Sequence, residues 1–384
     1  MNSRPYAAAR RTLSLSDKLL DVNWALILII AIIATMGFAM LYSVAGGHFS
    51  PWADKQIIRF IIGLVILVVV ACVDIRVWMN VAYPAYAFSL LLLVAVEIAG
   101  HVGLGAKRWI ELGPLQLQPS ELMKISLVLA LARYLHGLTL EDVSKPLKLL
   151  IPLMMIGIPA ALVLMQPNLG TATIIVMDGM SLLFLAGLSW WWIVPAVSAV
   201  AAAVPITWTE FLHDYQKQRV LTFLNPASDA MGAGWNISQA EIAMGSGGVA
   251  GKGFLQGTQS QLNFLPEANT DFAFTAIGEE FGFLGCMLLL LLFVVVIFYG
   301  VRIAVSSRSQ FARLLALGLT LNFFYYIMIN GLMVMGLIPV VGIPMPLISY
   351  GGTAMLVVMF GFGLLMSCHV HRQVEIPRGS GSII

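Results

Sequence analysis

Long apolar segments constrain this chain more than any other feature. A helix needs about 20 mainly apolar residues to cross a bilayer. Only 10% of the residues are charged, against about 25% in soluble domains. Ten candidate spans lie at 24–44, 57–73, 78–99, 121–136, 148–166, 171–187, 190–208, 272–300, 312–335 and 349–368. The sequence therefore predicts an all-α polytopic integral membrane protein of about ten transmembrane helices.

The chain is predicted to form one transmembrane domain over 24–368, between a cytoplasmic segment at 1–23 and a cytoplasmic tail at 369–384. No cleavable signal peptide is recognisable, and the first apolar run is expected to be a retained helix. A net charge of +2 gives no indication of a nucleic-acid partner. Cys72, Cys286 and Cys368 have neither metal-binding nor disulfide spacing, so we expect packed hydrophobic side chains.

The distribution of basic residues predicts that both termini are cytoplasmic. Thirteen basic residues then fall inside and eight fall on the outer face, several of these in short loops where the usual bias should exclude them. An anionic ligand on the outer face would explain these exceptions. The outer eight are Lys55, Arg59, Lys107, Arg108, Lys124, Lys217, Arg219 and Lys252.

Two outer segments are longer than simple helix connections. They are Gly100–Ser120 and Glu210–Thr270, the large loop between the seventh and eighth spans. Loops of this length in a compact domain are usually functional or disordered. Because the second contains aromatic, glycine and apolar residues, we expect it to fold over the outer mouth of the bundle.

The segment NFLPEANTDFAFTAIGEEFGF, Asn263–Phe283, is the most informative for function. It places Glu267, Asp271, Glu279 and Glu280 where a polar loop enters an apolar span. Carboxylates at a membrane edge are costly and usually face a bundle interior or a water-filled cavity. The segment predicts a site for a polar substrate that is reached from one membrane face.

A second polar segment, GAKRWIELGPLQLQPSELMK, spans Gly105–Lys124. It places Lys107 and Arg108 at the outer surface, and Glu121 and Lys124 one turn apart on a helix. A structural i,i+3 pair is one interpretation. The other is a pair that also orients a polar cavity.

The large outer loop contains the glycine run GSGGVAGKG, Gly245–Gly253, which lacks the spacing and the preceding strand of a nucleotide-binding loop. Its glycines allow tight turns and close backbone approach. Arg219 and Lys252 could bind a pyrophosphate, for which arginine offers paired donors, or they could be solvated loop charges. Near the C-terminus, Pro339, Pro344 and Pro346 predict a broken segment within Asn330–Thr353.

Five sequence strings together resemble the SEDS family (shape, elongation, division, sporulation) of bacterial cell-wall polymerases. They are KRWI…QPSELMK, QPNLGT, FLNP…GWN…GSGG…GKG…GTQ, FLPEANTDF…GEE and PVVGIPMPLISYGGT. The resemblance covers nearly the whole chain and is closer to the elongation members than to the division members. One departure is Asn168, where members of the family often have an aspartate in QPDLGT.

The resemblance implies a peptidoglycan glycosyltransferase that polymerises lipid II during cell elongation. It implies a class B penicillin-binding protein, a transpeptidase, as a partner, together with other membrane proteins of the elongation complex. Asp271 matches the family acid and is the expected general base. Arg108, Glu121, Lys124, Arg219, Lys252 and Glu267 are the expected substrate-binding residues. No ligand cluster in the sequence demands a metal, and Mg²⁺ or Mn²⁺ assistance stays open.

Two other classes of function remain as alternatives. A flippase for the lipid-linked precursor would also use intramembrane charges and broken helices, and a scaffold would recruit wall enzymes without any chemistry. Because the candidate groups lie on one predicted face, the sequence favours an enzyme. The resemblance implies that it lies in the bacterial inner membrane with its active site facing the periplasm.

Overall fold

A computed structural model gives the architecture of the chain. It describes residues 14–99, 101–103, 106–112, 115–192, 194–195, 198, 202, 209, 214–225, 233–262, 264–265 and 267–377. Within these residues the fold is almost entirely helical, as predicted.

The spanning helices agree closely with the apolar segments. They are α2 (Trp24–Val44), α3 (Ala53–Cys72), α4 (Ile75–Ala99), α5 (Pro119–His136), α7 (Pro146–Met165), α8 (Leu169–Leu185), α12 (Ala273–Ser306), α13 (Gln310–Val334) and α14 (Gly352–Val370). The predicted span at 190–208 begins with a 3₁₀ turn at Trp190–Trp192 and otherwise lies largely outside the described residues. Two short helices, α1 (Leu15–Leu20) and α6 (Leu140–Val143), lie between or before the spans.

Seven of the described helices are long and apolar enough to cross a membrane. Helix α5 falls below that limit because it carries Glu121, Lys124 and Arg133, and α8 has only 17 residues. Helices α13 and α14 form the centre of the bundle, with 72% of each span buried, whereas only 22% of the α4 span is buried. Polar groups on α13 are therefore surrounded by protein, and so are those on α5, of which 15 of 18 residues are buried.

Contacts between helix ends show that the segments connecting the helices lie on two opposite faces of the bundle. On one face, which we call the outer face, Arg108 meets the turn at Gln166, and Asn269 meets Tyr350. On the opposite face Lys18 bonds the Cys72 carbonyl, and the backbone of Arg308 bonds that of Arg372. This arrangement is the one that the alternating spans predict.

The outer segment at 100–118 forms a small antiparallel sheet that the sequence analysis did not predict. Its strands are β1 (His101–Gly103), β2 (Ala106–Leu112) and β3 (Leu115–Leu117), in the order β1-β2-β3. Val102 pairs with Lys107, and Ile110 pairs with Leu117. The sheet leads directly into α5, so it lies next to the outer end of the helix that carries Glu121 and Lys124.

The large outer loop carries three helices in its described part: α9 (Asp214–Leu224), α10 (Ala233–Gly247) and α11 (Thr258–Gln261). Helix α10 packs along α12, the helix that follows Asp271. The described part of the loop therefore has helical structure that packs on the spans.

Candidate active site

The predicted break near the C-terminus is confirmed, since α13 ends at Val334 and the next helix begins at Gly352. The buried side chain of Asn330, at the end of α13, ties this broken segment to the loop before α12. Its Nδ2 donates to the carbonyl of Ile343 at 2.6 Å and to the carbonyl of Asp271 at 2.9 Å. The N–H of Tyr350 also donates to the Asn269 carbonyl at 2.7 Å. The backbone around Asp271 is therefore held both by the end of α13 and by the broken segment.

Asp271 lies two residues before α12, on the outer face, and is half-buried. Gly342 of the broken segment lies beside it, because a Cβ atom placed on Gly342 would be 3.3 Å from Asp271 Oδ2. Gly342 has φ of +69°, a conformation that favours glycine. The position thus gives a carboxylate that is partly desolvated and still open to the outer face.

Glu267 shapes the turn before Asp271 through its backbone. Its φ is +56°, an uncommon value for a residue with a side chain, and its carbonyl accepts hydrogen bonds from the N–H groups of Thr270 and Phe272. Such strain often accompanies functional loops. The Glu267 side chain is exposed, so it is available to a ligand on this face.

Glu121 and Lys124 form a buried ion pair, as their spacing predicted. Lys124 Nζ lies 2.7 Å from Glu121 Oε1, and both residues are at most 4% exposed. Tyr326 on α13 completes the group, since its hydroxyl donates to Glu121 Oε2 and accepts from Lys124. Both carboxylate oxygens are therefore satisfied, and the pair joins α5 to α13 one turn below Asn330.

Arg108 is held by the QPNLGT turn. Its guanidinium donates to the carbonyl oxygens of Gln166, at 3.0 Å, and of Pro167. Asn168 caps α8 by accepting a hydrogen bond from the N–H of Thr171 at 3.3 Å. Gly170 packs closely on the broken segment, because a Cβ atom there would lie 2.8 Å from the Val341 carbonyl. Arg108, the turn and Asp271 are thus connected through the same outer segment.

Lys252, in the large outer loop, is paired with a carboxylate. It forms a 2.7 Å ion pair with the fully buried Glu279, which also accepts hydrogen bonds from Thr258 Oγ1 and from the N–H groups of Gln259 and Ser260. The charge of Lys252 is therefore matched within the protein, and its first role is to anchor the loop at 252–260.

The glycine run approaches α12 as closely as its composition predicted. The N–H groups of Lys252 and Gly253 donate to the carbonyls of Glu279 and Glu280, both at 3.0 Å. A Cβ atom on Gly251 would lie 2.1 Å from the Glu280 carbonyl. Gly282, with φ of +64°, kinks α12 at this point. The glycines are needed for this backbone crossing.

We expect Glu279→Ala to destabilise the protein by about 3–5 kcal/mol, because it removes the partner of Lys252 and four hydrogen-bond acceptor contacts. Thermal unfolding in detergent measures the loss, and protease cleavage within 252–261 should accelerate. Glu375→Ala is the matched control, since Glu375 is 76% exposed and its ion pair with Arg308 is 3.6 Å long. Equal melting temperatures for Glu279→Ala and Glu375→Ala would contradict the anchoring role.

Two predicted basic groups cannot be placed by their side chains. Arg219 lies in α9 and Lys107 in β2, but both side chains are outside what the structure describes. Arg59, by contrast, is placed: its guanidinium stacks over the Tyr350 ring at 4.8 Å, beside the start of α14. It adds a cation to the broken segment that the sequence analysis counted only as an outer charge.

The sequence analysis missed one buried acid, Asp178, at the middle of α8. It is fully buried, and its Oδ2 accepts a hydrogen bond from Asn322 Nδ2 at 2.6 Å. A carboxyl inside an apolar span was the available signal. Asn322, Tyr326 and Asn330 recur every four residues, so they form one polar stripe along α13.

Two cavities meet at Tyr326 and Val358. One is small and lies against Pro344–Ser349 of the broken segment, and the other lies deeper among mainly apolar side chains. Among the described residues, no three His, Cys, Asp or Glu side chains are grouped to hold a metal ion. The arrangement offers a carboxylate and several cations at a membrane surface, above an apolar cavity.

The chain matches the sequence profile of the FtsW, RodA and SpoVE family, described as cell cycle proteins, over residues 22–374. It is 44% identical to the peptidoglycan glycosyltransferase MrdB of Escherichia coli K12, covering 92% of this chain and 95% of that protein. It is 34% identical to the probable peptidoglycan glycosyltransferase FtsW of Trichlorobacter lovleyi, covering 91% and 93%.

Two solved structures share the fold. A chain from a study of how a peptidoglycan synthase complex coordinates polymerization and crosslinking superposes with a TM-score of 0.80 at 30% identity, covering 91% of this chain and 98% of that one. The rod shape determining protein RodA of Thermus thermophilus superposes with a TM-score of 0.69 at 27% identity, covering 91% and 97%.

Proposed function

Because the chain belongs to the FtsW/RodA/SpoVE family, we propose that this peptidoglycan glycosyltransferase polymerises lipid II at the outer face of the bacterial inner membrane, with Asp271 as the general base. The observation that carries the proposal is the position of Asp271, a half-buried carboxylate on the outer face. Its backbone is fixed by Asn330, and Gly342 lies against its side chain.

The reaction needs a base for the acceptor hydroxyl and positive charge for the leaving group. Asp271 takes the proton as the acceptor oxygen forms its bond to the donor sugar, and the bond from that sugar to the undecaprenyl pyrophosphate breaks with its electron pair. A positioned base typically contributes about 10²–10⁴-fold to the rate. Lys124, Arg108 and Arg59 are the cations proposed to stabilise the departing pyrophosphate. Arg219 and Glu267 are proposed to contact the substrate from the large loop.

We propose that Lys252 acts indirectly, by anchoring a loop of the active site. Its ion pair with Glu279 fixes 252–260 and so supports the turn that precedes Asp271. A Mg²⁺ or Mn²⁺ ion that arrives with the pyrophosphate would add to the positive charge at this face.

The lining of the two cavities indicates where the apolar tail of a lipid-linked substrate would lie. The upper cavity adjoins the broken segment, and the lower one is lined largely by Ile, Leu, Val and Phe side chains. We propose that part of the polyprenyl tail enters the lower cavity, so that the pyrophosphate stays near Tyr326 and the outer face.

A flippase is the second candidate, favoured by the intramembrane charges on α5 and α8. Proteoliposomes containing fluorescent lipid II separate the two activities. We expect glycan polymer to form with no protein-dependent transfer of lipid II between the leaflets. Transfer of lipid II without polymer, with or without a transpeptidase present, would favour the flippase.

We propose that a class B penicillin-binding protein is the partner of this chain. The support is the solved neighbour that comes from a peptidoglycan synthase complex combining polymerization and crosslinking. The coupling would place glycan synthesis beside peptide cross-linking, and other elongation-complex membrane proteins would join the same assembly.

The chain is a multi-pass membrane protein, and we propose that both termini are cytoplasmic and that Asp271 faces the periplasm. Cysteines at the exposed positions Gln256, on the outer face, and Glu141, on the opposite face, test this orientation. In a Cys72→Ala background, Gln256→Cys should react with a membrane-impermeant maleimide in spheroplasts, and Glu141→Cys should react only after lysis. The reverse pattern would place Asp271 in the cytoplasm.

A further inference from the structure

The proposed reaction assigns no role to the carboxyl group of Asp178. It lies at the middle of α8 and is 0% exposed. Asn322 donates to Oδ2, whereas Oδ1 is buried and has no hydrogen-bond partner. A bare carboxylate oxygen in a membrane interior is costly, and such groups are usually paired or functional.

The groups that face Asp178 come from the helices packed against α8. Lys124 of α5 is close enough to attract it electrostatically, and Tyr325 and Tyr326 of α13 also interact with its charge. On the α7 side, the aliphatic Ile156 packs against the adjacent Gly179. Lys124 also pairs with Glu121, so these two carboxyls share one ammonium group.

The hydrogen bonds indicate which of the two carboxyls carries the charge. Glu121 receives an ammonium on one oxygen and the Tyr326 hydroxyl on the other, an arrangement that suits a carboxylate. Asp178 receives only a neutral amide, on one oxygen. Two carboxylates with one ammonium would leave a net negative charge in the membrane, which is strongly unfavourable. A proton on Asp178 Oδ1 makes the buried cluster neutral.

The cluster is connected to the catalytic loop through α13. Asn322 contacts Asp178, Tyr326 contacts Lys124 and Glu121, and Asn330 contacts the Asp271 carbonyl. All three lie on one stripe of the same helix. Asp178 is therefore linked through this stripe to Lys124, near the outer face, and to the loop that carries Asp271.

We propose that Asp178 is a positioning residue that controls Lys124 by its protonation. The neutral acid leaves Glu121 as the single counter-ion of Lys124, so the ammonium remains available to the substrate pyrophosphate. Loss of the proton creates a second carboxylate on α8, which draws Lys124 away from the outer face. This inference rests on the proposed function, in which Lys124 stabilises the leaving group.

The initial rate of lipid II polymerisation across pH tests this control. The wild-type rate should fall by about tenfold as pH rises above neutrality and Asp178 loses its proton, because the active form carries that proton; tenfold in rate is equivalent to one pKa unit of differential interaction. Asp178→Asn cannot lose that proton, and its amide oxygen can still accept from Asn322. It should keep the wild-type rate at pH 7 and lose the alkaline fall.

Two further variants separate this effect from simple packing. Ser181→Ala removes another hydrogen bond between α8 and α13, the one to Tyr325, without removing a carboxyl. It should retain the alkaline fall. Asp178→Asn combined with Asn322→Asp moves the carboxyl across the same hydrogen bond and should restore the fall that Asp178→Asn alone loses.

The outcomes are distinguishable. Superimposable pH profiles for wild type and Asp178→Asn would overturn the inference and leave the proposed function intact. Inactivity of well-folded Asp178→Asn at every pH would also overturn it, because the ionised form would then be required. A wild-type protein that makes no polymer at any pH, even with its transpeptidase partner, would instead refute the proposed function.

Discussion

Asp271→Ala should abolish glycan polymerisation while leaving folding and membrane insertion intact. The expected fall is at least about 10²-fold, the lower end of what a positioned general base contributes. Folding should survive because Asn330 holds this loop through the Asp271 backbone carbonyl, which the substitution keeps. Initial rates with purified lipid II, together with thermal unfolding in the same detergent, measure both effects.

Glu97→Ala is a matched control for the loss of one negative charge from the outer side of the bundle, since Glu97 is an exposed carboxylate near the outer end of α4. Its rate should remain close to that of the wild type. Asp271→Asn, which keeps the shape of the side chain, should be as inactive as Asp271→Ala. Polymer formation near the wild-type rate by well-folded Asp271→Ala would rule out Asp271 as the base.

Glu121→Ala and Lys124→Ala should each be severely impaired, and their effects should not add. Either substitution leaves one charge buried without its partner, which costs about 3–5 kcal/mol. The double variant removes both charges, so its loss of stability should be smaller than the sum of the single losses. Unfolding free energies of the four proteins in detergent complete the double-mutant cycle.

Asp142 and Lys145 provide the comparison for that cycle. They form an exposed i,i+3 pair with the same 2.7 Å separation, and the Lys145 side chain is 58% exposed. Exposed pairs contribute little, so this second cycle should be nearly additive. Additive losses at Glu121 and Lys124 would contradict the buried pair, and activity unchanged in Lys124→Ala would remove the lysine from the proposed reaction.

The spans could be predicted because the membrane imposes a length and an apolar composition on each helix. Helix α5 was predicted despite Glu121 and Lys124, because most of the other residues in this helix are apolar. The strands at 101–117 were missed because two of them have only three residues and the third, AKRWIEL, has no regular alternation of polar and apolar residues.

The site was only partly predictable, because charge partners come from distant parts of the chain. The spacing of Glu121 and Lys124 indicates their contact, whereas the third partner, Tyr326, lies 202 residues beyond Lys124. From the sequence, Lys252 was interpreted as a loop cation, because its partner Glu279 lies 27 residues further along the chain. Asp178 was not predicted as a site residue because it is a single carboxyl in a helix of high mean hydropathy.

The most direct test of the central claim is the amount of undecaprenyl pyrophosphate released from lipid II by the purified wild-type protein with the proposed transpeptidase partner. A glycosyltransferase breaks the bond to the pyrophosphate each time it forms a glycosidic bond. We therefore predict release in proportion to the disaccharide units incorporated into polymer, and no release by Asp271→Ala. Lipid II that stays intact while the protein is folded and bound to its partner would contradict the claim.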